Sequence, residues 1–548
     1  MLRRLAALAL AACTSLASPP AEAFCGFYVG GADTKLFNHA TQVALLRDGP
    51  RTVLSMQNDY QGPPASFALV VPVPVILRKD NVKTLPRDVF ARLDQLTAPR
   101  LVEYWEQDPC PEAGADIARA SRAVESRKYD MAAAPAAMAT TGHVRVEAEF
   151  AVGEYEIVIL SADDSLGLET WLRENKYNIP SGAAPVLAPY VASGMKFFVA
   201  RVNIDRVTMT DGRAVLSPLR FHYDDDRFAL PVRLGLLNSD GVQDLIVHVL
   251  SREGRYEVAN YDNVTIPTNL ELSEQGKDQF GAFYAALFDR TTERHPRAVV
   301  TEYAWNSGSC DPCPGPTLSG GDLALLGGDV ATQRGPAPGA SATGSAPTAK
   351  TGVSPPLPSP TTAGAASPPP SPGLAAAPSQ LSPWQVTVSR LHARYRRETL
   401  GEDLVFRKAA PLRGGNENWG GANSQDAIKQ PENSQNMFQG RYILRHPWAG
   451  AITCAEPRRG VWGGPPDGAP LVQAARDLGH APRGEPSFAR WLTADVPSLD
   501  LRGTPAPVLN PSPPAWTRLR DARLTFAAGL ALGLAAVAAV ALRSRRPS

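Results

Sequence analysis

The sequence predicts an α+β fold: an antiparallel, sheet-rich domain with several short helices, then a disordered Pro/Ala-rich spacer and a single C-terminal transmembrane helix. Three observations lead there. Short apolar stretches alternate with turn clusters such as Asp48-Gly49, "TDGR" and "NSDG", as strands of an antiparallel sheet do. Between them lie segments that repeat apolar side chains at helical spacing. Finally, the 51 prolines and 45 glycines among 548 residues concentrate in stretches with too few large apolar side chains to form a core.

Taken in order, the chain opens with a basic start (Arg3, Arg4), an apolar run and the small-x-small pattern Ala21-Glu22-Ala23. That order is a secretory signal peptide over residues 1–23. A rival reading stands beside it, because Leu10-Ala11-Ala12-Cys13 matches the pattern in which Cys13 is lipidated. The main part of the domain, 24–330, begins with the hairpin "TQVALLRDGPRTVLSMQ". "SFALVVPVPVIL" is a buried strand that Pro72 and Pro74 confine to an edge or an irregular position. "LPRDVFARLDQL" is a helix with Thr84 placed to cap it and Val89, Phe90, Leu93 and Leu96 on one side. A second hairpin, "HVRVEAEFAVGEYEIVILSA", precedes two short helices, the second stopped by Gly194. From Lys196 to Thr268 the turns predict an antiparallel meander. A helix around Lys277 to Thr292 then buries Phe280, Phe283, Tyr284 and Leu287.

Residues 331–382 form the Pro/Ala/Ser-rich spacer, too poor in large side chains to offset the entropy of ordering. The piece at 383–455 supplies further strands but is too small to bury a core alone. It is therefore expected to dock on the first part and complete one domain. A Pro/Gly/Arg-rich stalk (456–517) leads to Leu524–Leu542, 19 residues without a charge. At about 1.5 Å per residue this helix spans about 28 Å, close to a bilayer's hydrocarbon core. Arg543, Arg545 and Arg546 follow and hold the tail, 543–548, in the cytoplasm. Gly529 and Gly533 form one GxxxG step on which two such helices could dimerise weakly. These addresses place the bulk of the chain in the cell envelope, outside the cytoplasm and anchored to the membrane by one helix. Net charge is +1 with mixed signs, so no nucleic-acid partner is implied.

In such a compartment thiols oxidise. Cys25, Cys110, Cys310 and Cys313 are the disulfide candidates, in pairings that spacing does not choose, and the fate of Cys454 stays open. Cys310-Asp311-Pro312-Cys313 follows a strand and precedes a short helical segment, the order of a thiol–disulfide site. Pro314, Pro316 and the glycines around that helix argue instead for a structural clasp. "FHYDDDRF" brings His222 near Asp224, Asp225 and Asp226, and reads as a solvated hairpin tip rather than a cation site. "RLHARYRRETLGEDLVF" gathers His392, Arg394, Glu398, Glu402 and Asp403, read as an exposed charged face rather than an acid–base site. "MQNDYQGPP" is a polar loop suited to a sugar or peptide. No GxSxG, HExxH, P-loop or Rossmann glycine pattern occurs. Accordingly no catalytic, cofactor-binding or metal residue is assigned.

The stretches "FCGFYVGGADTKLFN", "VLSMQNDYQGPP", "VVPVPVILRKDNVKTLP", "LVEYWEQDPC", "GMKFFVARVN", "SCDPCP", "RLHARY", "GEDLVF", "FQGRYILRHPW" and "RGVWGGPP" carry a resemblance. Across residues 24–465 the chain resembles the bacterial secreted family known as domain of unknown function 2330. The resemblance implies that the piece after the spacer belongs with the first part, and it assigns no activity or ligand. The expectation is an envelope-anchored binding or structural protein for an unknown protein or glycan ligand. The alternative is an extracytoplasmic enzyme, a hydrolase or a thiol–disulfide protein using Cys310 and Cys313.

Overall fold

The computed structural model describes residues 27–29, 41–57, 68–110, 144–175, 177, 183–210, 213–238, 243–331, 381–396, 399, 401–416, 425–465, 472–474, 488–493, 496 and 499. The signal peptide with Cys13, Cys25, nearly all of the spacer, Glu398, most of the stalk, and the C-terminal helix with Gly529, Gly533 and the basic tail lie outside them. Among the described residues no helix is long and apolar enough to cross a membrane.

Strands of six or more residues are numbered β1 Thr41–Asp48, β2 Arg51–Gln57, β3 Ala68–Val73, β4 Arg100–Glu106, β5 Val144–Val152, β6 Tyr155–Ala162, β7 Lys196–Val202, β8 Leu219–Asp224, β9 Gln243–Ser251, β10 Val299–Asn306, β11 Thr387–Tyr395 and β12 Arg441–His446. The longer helices are α1 Asp88–Thr97, α2 Ser165–Glu174, α3 Ala183–Ala192 and α4 Phe280–Arg294. The largest sheet has 11 strands, with β10-β11-β9-β1-β2-β8 in its middle. A five-stranded sheet orders Phe27–Val29, β3, β7, β6 and β5, and a third pairs β12 with β4. The sheets are mixed: β9 runs parallel to β1, and β12 parallel to β4.

Alternation along the strands sets the layers. Leu245, Val247, Leu391 and Ala393 of the large sheet face Leu69, Val71, Phe198 and Ile157 of the second sheet in one core. The other face of that second sheet (Val70, Leu160, Phe197, Val199) is covered by α2 and α3 through Leu168, Leu172 and Leu187. On its far side the large sheet packs against α1 through Val89, Phe90 and Leu93, and against α4 through Phe283, Leu287 and Phe288. The result is two sheets packed face to face with helices outside each, so side chains on both faces of β9 are buried at all nine positions.

That double coverage explains one departure from the sequence reading. The segment Lys196–Thr268 is not a meander: β7 joins the second sheet, while β8 and β9 enter the large sheet separated by β1 and β2. A strand as apolar on both faces as "DLIVHVL" is stable in mid-sheet, not in a half-solvated meander. Thr84 does not cap α1 either. It ends the short strand Val82–Thr84, and Leu85 N–H donates to Pro218 O at 2.8 Å, which keeps the chain extended until Pro86. Arg87 occupies the cap position, and its side chain makes no capping hydrogen bond to the helix. Pro72 lies beyond the described pairing of Phe27–Val29 with Ala68–Val70, and on its other side it pairs with Phe197 of β7. The helix expected around Lys277 is broken at Gln279 into Glu274–Asp278 and α4.

β11, the first strand beyond the spacer, lies between β9 and β10, paired antiparallel to both. Further on, Cys454 is bonded to Cys110 (S–S 2.14 Å), a link across 344 residues. The second disulfide joins Cys310 to Cys313. A single proteolytic cut within 332–380 is therefore expected to leave one particle by gel filtration. On a denaturing gel the two fragments should separate only after reduction; fragments that part without denaturant would contradict the central position of β11.

Candidate functional site

Residues 390–394 on β11 were read as an exposed charged face, and the structure overturns this. Their even-numbered side chains point toward α1 and α4, and Arg390 and His392 are 1% and 2% exposed. Charge in such a place survives only if each group is paired. Arg390 Nε donates to Glu302 Oε2 at 2.6 Å and Nη1 to Asp94 Oδ1 at 2.5 Å. His392 Nδ1 lies 2.7 Å from Glu302 Oε1, and its Nε2 lies 3.4 Å from Asp244. Arg394 Nε donates to Asp244 Oδ1 at 2.8 Å and its Nη1 pairs with Asp289 of α4. Tyr284 Oη donates to Glu302 Oε1 at 2.5 Å, and the Phe288 ring stacks on His392 at 3.9 Å.

Backbone geometry makes the network possible. Register between β10 and β11 shifts between Thr301 and Tyr303, so Tyr303 rather than Glu302 opposes Arg390. The bulge turns Glu302 onto the same face as Arg390 and His392. Burial alone would raise the Glu302 carboxyl, but His392 and Arg390 outweigh it and hold it at about 2. Burial alone would lower His392, but Glu302 and Asp244 push it up to about 9. Burial together with the charge of Arg390 keeps His248, hydrogen-bonded to Thr97 at 3.0 Å, well below its ordinary value. The network is sealed and its charges are matched within it, a brace between β9, β10, β11, α1 and α4.

The remaining sequence candidates do not converge on it. Asp403 is buried elsewhere, accepting from Tyr190 Oη at 2.6 Å and Arg233 Nη2 at 3.0 Å. Glu402 is exposed and meets Asn260 at 3.4 Å. His222 sits on β8, four strands from β11 or about 19 Å, and bonds Asn81 at 3.2 Å. Asp224 is held by Arg51 at 2.8 and 2.9 Å, so the acidic tip is tied down and no group able to hold a metal ion forms among the described residues. At the Cys310–Cys313 disulfide, the loop is anchored by Arg100, which donates to Pro312 O at 3.1 Å, and by Gln95, which donates to Pro314 O at 3.1 Å. The next helix starts only at Gly320, capped by Ser319, so its positive end does not reach Cys310. The loop "MQNDYQGPP" lies outside the described residues beyond Gln57.

Two places escaped the sequence reading. At the end of β12, His446 Nε2 lies 2.9 Å from Glu103 Oε2 and Nδ1 lies 3.3 Å from Glu274, with Lys277 on the same Glu103 oxygen at 2.7 Å. The Trp105 ring stacks on the imidazole at 4.6 Å. The stretches "LVEYWEQDPC" and "FQGRYILRHPW" meet there, and only their pairing as parallel strands reveals it. The other place is a cleft of about 580 Å³ where β9 ends and β11 begins. Its walls are the turn 252–255, the segment 384–387, residues 408–411 and the loop 432–436. Trp384 stands in it 68% exposed. A lone tryptophan beside a proline-rich segment carries no periodic signal, which is why sequence missed it.

Two outcomes test the brace. Arg390→Met leaves Asp94 without its cation and Glu302 with His392 alone, and should lower stability in urea by about 3–5 kcal/mol; a change under 1 kcal/mol, about the value of an exposed pair, would mean the network is solvated. His392 binds its proton more tightly folded than unfolded, so that contribution is complete below pH 6.5 and is lost as pH rises through about 9. The thermal midpoint should accordingly fall between pH 6.5 and 9, and His392→Gln should flatten that slope.

No curated protein and no solved structure matches the chain. One family model does match, over residues 19–407: uncharacterized protein conserved in bacteria (DUF2330). The matched region takes in the five-stranded sheet, the six long strands of the large sheet, the charged brace on β11 and Trp384 at the mouth of the cleft, and the chain belongs to that family.

Proposed function

We propose that this protein is an envelope-anchored binding protein that presents the cleft around Trp384 to a ligand outside the cytoplasm. The observation that carries the reading is the contrast between two polar sites. Acid and base side chains on β11 are sealed in and consumed by one another, whereas the cleft is open, polar and built around an exposed indole. Aromatic side chains held at a concave surface with convergent polar groups are what a ligand site needs. The location rests on the leader, the uncharged segment 524–542 and its arginines, with the disulfides Cys110–Cys454 and Cys310–Cys313 in keeping with an oxidising space. On this reading the segment between Leu499, which is buried against α4, and the C-terminal helix gives the domain reach, that helix is its membrane partner, and Gly529 and Gly533 allow weak pairing of two copies.

A second reading, an extracytoplasmic hydrolase, has one observation in its favour. His446 is half-open between Glu103 and Glu274, the arrangement of a base oriented by a carboxylate.

Binding of the purified full chain to isolated bacterial envelopes tests the first reading. Saturable binding is expected that Trp384→Ala weakens by about tenfold with an unchanged thermal midpoint, while His446→Ala leaves it intact. Equal binding by wild type and Trp384→Ala would remove the cleft from the function.

A further inference from the structure

We infer that the cleft takes a neutral oligosaccharide, with Trp384 as the platform on which a sugar ring stacks. The inference rests on the binding reading above and narrows its ligand.

The indole is fixed from behind. It lies against Gly308 so closely that a Cβ there would stand 3.1 Å from ring carbon Cδ2 and 3.2 Å from Cε2. One face is thus held by backbone, while the residue as a whole keeps 68% of its surface exposed. An aromatic ring held in place beside a cavity, with its other face open, is a platform on which a ligand can lie. Sugar rings present a face of C–H groups that suits such a platform.

Around the ring the groups left unengaged are mainly amides. Gln385, Asn433 and Gln435 are exposed and line the cleft. A side-chain amide offers two donors and an acceptor in one plane, so it can receive and give hydrogen bonds to adjacent hydroxyls. Charge argues the same way. Arg252 is committed to Asp48 at 2.8 Å and Arg255 to Glu257 at 2.9 Å, which leaves Lys408 beside the two carboxylates Glu253 and Glu432. Lining charges of both signs, with one carboxylate in excess, disfavour an anionic polymer. Its lining is too polar for an acyl chain, and about 580 Å³ lies within the range of small-ligand clefts.

Calorimetric titration of the full chain in a zwitterionic detergent, with chitotetraose, cellotetraose and maltotetraose as probes, tests the inference. Saturable heat is expected with at least one saccharide. Trp384→Ala should weaken it by about tenfold, Trp384→Phe should keep most of it, and the thermal midpoints of both should match wild type. A paired Asn433→Ala, Gln435→Ala change should weaken it without altering the fold. If none of the saccharides gives saturable heat while envelopes still bind in a Trp384-dependent way, the ligand class is wrong and the binding reading stands. A peptide of residues 353–372 that saturates the cleft in place of sugar would likewise overturn the inference in favour of the chain's own proline-rich segment. Loss of envelope binding as well would overturn the reading beneath it.

Discussion

The fold depends on one burial that must not be left uncompensated: a strand carrying Arg390, His392 and Arg394 lies in the middle of the largest sheet, facing helices rather than water. An unpaired cation there would cost several kcal/mol. The carboxylates that neutralise it come from separate segments, Asp94 from α1, Asp244 from β9, Asp289 from α4 and Glu302 from β10. Each of those elements is thereby bound to β11, and β11 reaches its slot only after the chain has run through the spacer. Charge pairing specifies the register here, because a slip by one residue would turn Arg390 into the apolar core where Leu391 and Ala393 now sit.

Packing on the other face supplies the bulk of the stabilisation, but of a less selective kind. Leu245, Val247 and Leu391 meet the second sheet's Val71, Phe198 and Ile157 in a core that many apolar residues of similar volume would satisfy. The helical face is more exacting. Gly327, at φ 123°, brings the chain so near Val53 that a Cβ would lie 2.7 Å from its side chain. Arg220 reaches under the same segment to Asp329 at 2.9 Å and to the carbonyls of Ala324 and Leu325. The two faces divide the labour: apolar area holds the sheets together, and directed polar contacts fix which segment lies where.

That division also explains what could be read from residues alone. Hairpin β1–β2, with Gly49 at φ 58° in its turn, and the apolar side of α1 follow from neighbours in sequence and were legible. Strand order was not, since nothing local says that β9 lies parallel to β1 or that Lys196–Thr268 is shared between two sheets. Arg390 and His392 read as surface because burial of charge is a statement about their partners, and those partners lie some 90 to 300 residues away. The same holds for Cys454, whose partner is 344 residues distant, and for His446, whose carboxylate belongs to β4. Distance along the chain, rather than weak chemistry, hid them.

An internal brace that consumes its own charges has a consequence for where recognition can occur. Side chains that are paired and dry cannot also meet a ligand without giving up the contacts that hold β11. Groups with spare hydrogen-bonding capacity must therefore lie where strands end and loops begin, positioned by the sheet but not needed by it. The turn at Arg252–Arg255 and the segment 384–387 flank the paired ends Ser251 and Thr387 of β9 and β11, so their separation is set by sheet hydrogen bonds. The cleft inherits rigidity from the same strand that the brace secures. Weakening Arg390 should then loosen the walls around Trp384 before it abolishes the fold, which ties a fully buried brace to the most exposed aromatic ring among the described residues.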